Sequence, residues 1–245
     1  MNLNLNGKKA LVMGSSDGLG KAIAESLINE GVQVCLNSRS EEKLIKVQKE
    51  IGAFTFVAKD LSKKDAVKEL MNEVLEKMGH IDILVTNTGG PQKNDFMHVS
   101  DEQWQNDFDS LWMAPVIAMK EVIPHMQANQ YGRILMVTSI AAVEPLKGLT
   151  TSNGLRAGLP GLAKSISNEY AKDGITINML LPGYTNTDRL KALNLSDEVV
   201  KGLVPAARLG DPHELADLCT FLASEKGSYI TGQSIAVYGG ALRSH

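Results

Sequence analysis

The chain has 245 residues, 43% of them hydrophobic and 22% charged, and carries a net charge of -3. That length supports one large domain with a full core, and the weak negative charge argues against a nucleic-acid-binding or membrane-surface protein. No apolar run approaches the roughly 18 residues a bilayer span needs, and no basic-then-apolar leader pattern opens the chain, so a cytoplasmic protein is expected.

Strand and helix signals alternate from end to end. A short apolar strand over 8–13 is followed by Gly14, Gly18 and Gly20, then by the helical spacing of Ile23, Ala24, Leu27 and Ile28 in a helix over 19–30. Strand, glycine turn and helix start form the geometry that cradles a dinucleotide pyrophosphate. Glycines permit positive φ and close backbone approach, and a helix N-terminus turns free N–H groups and positive dipole towards an anion. Ser16, Asp17 and Leu19 share this turn. Further strands are expected over 33–37, 54–58, 83–86, 133–138, 176–181 and 234–237, and helices over 41–50, 63–78, 101–128, 151–172 and 212–223. The strands are short, continuous and β-branched, as strands covered on both faces are. The order predicts a single-domain, doubly wound α/β (Rossmann) fold over 1–245, with a seven-stranded parallel sheet and helices on both faces. The stretch 187–210 has no sheet partner and reads as a small helical lid on the ligand edge.

Cys35 and Cys219 have no metal or CxxC spacing and read as reduced core residues. His98, His125, His213 and His245 have no clustered carboxylate or cysteine partners in the sequence, so no metal is expected.

Several features fall at strand C-termini, the edge where doubly wound sheets bind ligands. Asn37-Ser38-Arg39 follows the second strand, where an adenosine ribose is expected. Asp60-Leu61 follows the third, where a carboxylate can accept from an adenine amino group. Asn87-Thr88-Gly89-Gly90 ends the fourth, and Pro182-Gly183-Tyr184-Thr185-Asn186-Thr187 ends the sixth.

This set resembles the short-chain dehydrogenase/reductase family over nearly the whole chain, nearest its β-ketoacyl reductase and sugar dehydrogenase branch. The glycine turn is similar to the family's T-G-x3-G-x-G, with Met13 in place of the Thr. Asn87-Thr88-Gly89-Gly90 is similar to N-N-A-G, and Pro182-Gly183 with Thr187 to P-G-x3-T, which holds the nicotinamide carboxamide. The C-terminal segments match too, except that Tyr238 replaces a usual Asp. The resemblance implies an NAD(P)-dependent oxidoreductase. NADP(H) is favoured over NAD(H), because no carboxylate follows the second strand and Arg39 can pair with a 2′-phosphate. Against this stand Asp17, an acid close to the same phosphate, and the plainer reading of Arg39 as stacking on adenine or facing solvent.

In the family a Tyr donates the proton to the carbonyl oxygen, and a Lys four residues on lowers that Tyr's pKa and binds the nicotinamide ribose. A Ser polarises the carbonyl and an Asn on the preceding long helix anchors a water relay. Ser139 matches the Ser. Counting along the family's spacing, the Tyr position falls at Ser152, the Lys at Arg156 and the Asn at Leu111. A serine hydroxyl is a far poorer acid than a phenol, and arginine does not deprotonate, so it cannot pass a proton as Lys does. Arg156 can still hold ribose hydroxyls and stabilise a developing alkoxide.

Plainer readings stand beside these: Ser139 as a strand-end cap, Ser152 as a helix N-cap beside Thr151, Arg156 in a surface ion pair. Tyr184 reads as a pocket wall or as a surrogate proton donor. The resulting expectation is an atypical oxidoreductase acting on a small carbonyl or alcohol. The alternative is a dinucleotide-binding sensor or assembly protein without turnover. A lesser one is an enoyl thioester reductase, whose relatives look similar in carrying Ser at the Tyr position but keep the Lys and an upstream Tyr, where this chain has Ala141. The resemblance also implies a homotetramer.

Overall fold

The computed structural model describes residues 1–63, 65–192 and 194–243, so His245 lies outside the described residues. Strands β1 (Lys9–Val12), β2 (Gln33–Ser38), β3 (Thr55–Ala58), β4 (Ile83–Asn87), β5 (Gly132–Val137), β6 (Ile175–Pro182) and β7 (Gln233–Val237) form one sheet in the order β3-β2-β1-β4-β5-β6-β7. Every pairing is parallel. The chain runs outwards one way from β1 to β3 and the other way from β4 to β7. The β1/β4 boundary is therefore the switch point, where a crevice opens at the strand C-termini.

The helices are α1 (Gly18–Asn29), α2 (Glu41–Ile51), α3 (Ala66–Met78), α4 (Asp101–Phe108), α5 (Ala114–Asn129), α6 (Thr150–Ala157), α7 (Leu159–Tyr170), α8 (Asp188–Lys191), α9 (Asp197–Leu203) and α10 (Pro212–Ala223). Successive strand side chains point to opposite faces, and the core divides accordingly. Ala10, Val12, Leu135 and Val137 pack with α1, α2 and α10. Leu11, Met13, Ile134 and Met136 pack with α3, α5 and α7. None of the described helices is long and apolar enough to cross a membrane.

Two helices differ from the sequence expectation. The helix expected over 101–128 is interrupted by a π-helical turn at Asp109–Met113. Pro115 lacks the N–H that would bond the Leu111 carbonyl, and the wider turn absorbs the loss. The helix expected over 151–172 divides at Gly158, where Pro160 cannot donate to the Arg156 carbonyl. The two breaks meet: a Cβ on Gly158 would lie 2.9 Å from the Trp112 ring. Phe54, expected in the third strand, precedes β3 and is exposed.

The stretch 187–210 carries α8 and α9, and its Val200 and Val204 are buried. Its ends are held together by a parallel bridge between Thr185 and Gly210.

Candidate active site

The turn after β1 has no room for a side chain at Gly14 or Gly20. A Cβ on Gly14 would collide with the Asn87 carbonyl oxygen, and one on Gly20 with the Gly14 carbonyl oxygen. Gly14 and Gly18 have φ of 61 and 52 degrees, in the left-handed region. Asn87 Nδ2 donates to the Gly14 carbonyl at 3.0 Å, which fixes the turn to the end of β4. Ser15, which sequence reasoning passed over, is fully buried. Its hydroxyl donates to Val12 at 2.8 Å and accepts from the Asn37 amide at 3.0 Å. Ser16 is half-buried in the same turn, and Leu19 packs onto the core face shared with α10.

Asp17 is the N-cap residue of α1, but its side chain makes no capping hydrogen bond. The first amides of α1 therefore have no side-chain acceptor, and the turn fits a dinucleotide pyrophosphate. An open cavity of about 190 Å³ lies here, lined by Gly18, Lys21, Thr187 and His213 among others.

At the adenosine end, Arg39 is exposed directly after β2. Ser38 sits beneath it, its hydroxyl 3.3 Å from the Ser40 amide. Burial works to raise the Asp60 carboxyl. The hydrogen bonds from Ser62, followed by the charges of Lys63 and Arg39, bring it below its ordinary value. One Asp60 oxygen is taken by the Ser62 amide and hydroxyl at 3.1 and 2.8 Å. Leu61 packs against the core face that holds α3. Asp17 pairs with Lys43 at 3.3 Å across the surface. That cation, absent from the sequence reading, offsets the acid that argued against a 2′-phosphate.

At the other end of the crevice, Ser139 lies two residues past β5, and its Oγ accepts from the Ala141 amide at 3.1 Å. The strand-end cap is thus present, and the hydroxyl proton is not consumed by it. Helix α6 packs on the short turn Ile140–Ala142 that follows Ser139. Ser152 is 3% exposed and lies inside α6, whose N-cap is Leu149, so Ser152 is not the cap residue. The helix begins earlier than expected.

Arg156, one turn on, is 4% exposed. A surface ion pair is therefore ruled out. Its Nη2 donates to the Gly89 carbonyl at 2.7 Å, and its buried Nε has no partner among the described residues. Burial, and then the like charge of Arg189, bring its guanidinium down to about 10, which leaves it a cation at neutral pH. Leu111, from the π-helical turn, is buried.

At the end of β6, the Gly183 amide donates to Val237 at 2.9 Å and the buried Thr185 hydroxyl to Gly183 at 3.4 Å. Pro182 is buried as the last residue of β6. Thr187 leans on the glycine turn, its methyl 3.3 Å from where a Cβ on Gly18 would lie. Tyr184 packs on the core and lines a cavity of about 90 Å³ with Arg208, Glu214 and Tyr238. Ser139, Ser152 and Arg156 are not among that cavity's walls.

A switch-point crevice and a glycine turn at a helix N-terminus define a nucleotide-binding protein of the doubly wound class. The family model described as enoyl-(acyl carrier protein) reductase matches residues 14–241. The 3-oxoacyl-(acyl-carrier-protein) reductase FabG of Vibrio harveyi is 37% identical over 242 residues, covering 97% of this chain and 98% of that protein. Among solved structures, L-sorbose reductase from Gluconobacter frateurii, complexed with NADPH and L-sorbose, superposes with a TM-score of 0.93 at 30% identity, over 100% of both chains. YwfH, an NADPH-dependent reductase involved in bacilysin biosynthesis, superposes with a TM-score of 0.93 at 31% identity, over 98% of this chain and 100% of its own. The chain belongs to the short-chain dehydrogenase/reductase family and is an NAD(P)-dependent oxidoreductase of that type.

Proposed function

We propose that the protein is an NADPH-dependent reductase of a small carbonyl compound, working without the Tyr/Lys acid pair of its family. The observation that carries this reading is Arg156: a buried cation with no carboxylate partner among the described residues, held against the Gly89 carbonyl. An uncompensated buried charge is costly and persists where a ligand or a developing charge answers it. The preference for NADPH rests on exposed Arg39 after β2, on the Asp17–Lys43 pair, and on the two NADPH-associated reductases it resembles.

When bound, NADPH supplies the hydride. The Ser139 hydroxyl donates to the substrate carbonyl oxygen and polarises it. Arg156 stabilises the negative charge that develops there, in a site that buried Leu111 and Ala141 keep apolar. Buried Ser152 stands at the family's phenol position, and the proton comes from water or from Tyr184. Much of the rate then derives from positioning and fixed charge. We also infer a homotetramer, since β7 is an edge strand paired only with β6.

Steady-state NADPH oxidation with aldehydes, ketones, sugars and 3-oxoacyl thioesters tests the proposal. Oxidation with at least one carbonyl class, yielding its alcohol, is expected. NADPH binding without turnover on any would favour the sensor reading instead.

A further inference from the structure

Two arginines from different elements converge on one short loop. Arg156 approaches from α6, on the Ser139 side, and donates to the Gly89 carbonyl at 2.7 Å. Arg189 approaches from α8 in the lid and donates to the Pro91 carbonyl at 2.8 Å, its guanidinium lying where a Cβ on Gly90 would be. A Cβ at Gly90 would displace that guanidinium, the far end of a flexible side chain.

Neither arginine has a carboxylate partner among the described residues, whereas Lys21, Lys43, Lys59 and Arg208 each have one. Arg156 is also nine-tenths buried with its Nε unpartnered, so a donor is left over on the inner side. Arg189 is exposed and holds a single neutral carbonyl, a weaker acceptor than an anion.

Building on the oxidoreductase reading above, we propose that Arg156 and Arg189 form a two-sided clamp for an anionic group on the substrate, a carboxylate or a phosphate close to the reacting carbonyl. Planar guanidinium forks suit both anions, which accept two parallel hydrogen bonds. The cofactor pyrophosphate already has its own donors in the first amides of α1. The clamp sits on the loop that follows β4, between α8 and α6. On binding, Arg189 exchanges the Pro91 carbonyl for the anion and draws α8 over it. The substrate class is then a small oxo acid or an oxo phosphate ester.

The test uses the NADPH-loaded protein, titrated calorimetrically with malonate and with inorganic phosphate. An Arg189→Gln variant, changed at an exposed position, is titrated beside it. At least one anion is expected to bind the wild type, and R189Q to weaken it by about tenfold or more with NADPH affinity unchanged. In turnover, a 2-oxo acid should be preferred over its methyl ester, and R189Q should abolish that preference. No binding of either anion overturns the proposal. So does an equal loss of NADPH affinity in R189Q, which would mean that Arg189 serves the cofactor pyrophosphate. A protein that reduces neutral carbonyls yet ignores both anions refutes the clamp and keeps the oxidoreductase reading. Anion binding without any turnover does the reverse.

Discussion

Arg156 Nη2 donates to the carbonyl oxygen of Gly89 at 2.7 Å, tying α6 to the loop that ends β4. This bond joins the helix that carries Ser152 to the loop that lines the nucleotide crevice. It also puts a permanent cation inside the protein, and burial is the main reason its pKa falls to about 10.

The sign of that shift gives the first prediction. A base whose folded pKa is lowered works against the fold at every pH where it is charged, neutral pH included. Arg156→Met is therefore expected to hold or raise the Tm of the ligand-free protein at neutral pH, despite the lost hydrogen bond. The same variant should bind NADPH less tightly by about 1–3 kcal/mol. Calorimetry and titration check both arms. A lower Tm with unchanged NADPH affinity would assign Arg156 a purely structural role.

Cofactor choice is tested at the other end of the crevice. Arg39→Ala should weaken NADPH by about 1–3 kcal/mol and leave NADH almost unchanged, because only the 2′-phosphate loses a charged partner. Lys43→Ala should act in the same direction, since it frees Asp17 to repel that phosphate. Equal losses for both cofactors in fluorescence titrations would refute the assignment.

Glu214 makes one contribution to acid stability. Its hydrogen bond from Arg208, and then that from the Asp211 amide, lower its carboxyl from 4.5 to about 2. A carboxyl lowered in the folded state contributes stability that is fully present above about 4.5 and is lost as pH falls through about 2. The Tm gap between wild type and Glu214→Gln should be constant at higher pH and close within that window. A gap independent of pH would contradict the role given to the Arg208–Glu214–Asp211 arrangement.

Assembly is read by light scattering. A homotetramer mass is expected at micromolar concentration. A monomer would exclude the inference, and a dimer would mean that one interface is absent.

Much of this architecture was legible in the sequence for physical reasons that act locally. Gly14, Gly18 and Gly20 announce the turn after β1, and the β-branched runs announce strands buried on both faces. The π-helical turn at Asp109–Met113 was not legible, because the apolar spacing around it still reads as one helix; Pro115 was the available signal. Pro160 gave the same warning for the break at Gly158. Arg156 was singled out by its i, i+4 spacing from Ser152, but its bond to Gly89 spans 67 residues and leaves no local trace. Arg189 and Lys43 were missed for that reason. Each matters through a contact between elements distant in the chain, and a single charged residue in a lid or on a helix surface looks solvated until the fold brings its partner near.

The central claim is hydride transfer at a site lacking the phenolic acid, and isotope transfer tests it most directly. NADPH deuterated at its transferable hydrogen is mixed with the protein and the oxo substrate preferred in steady state, and the product is examined by mass spectrometry. The account predicts one deuterium on the carbinol carbon of an alcohol product, with incorporation sharply reduced in Ser139→Ala. Tight NADPH binding with no deuterium in any product, across oxo acids, oxo esters, aldehydes and 3-oxoacyl thioesters, would contradict it.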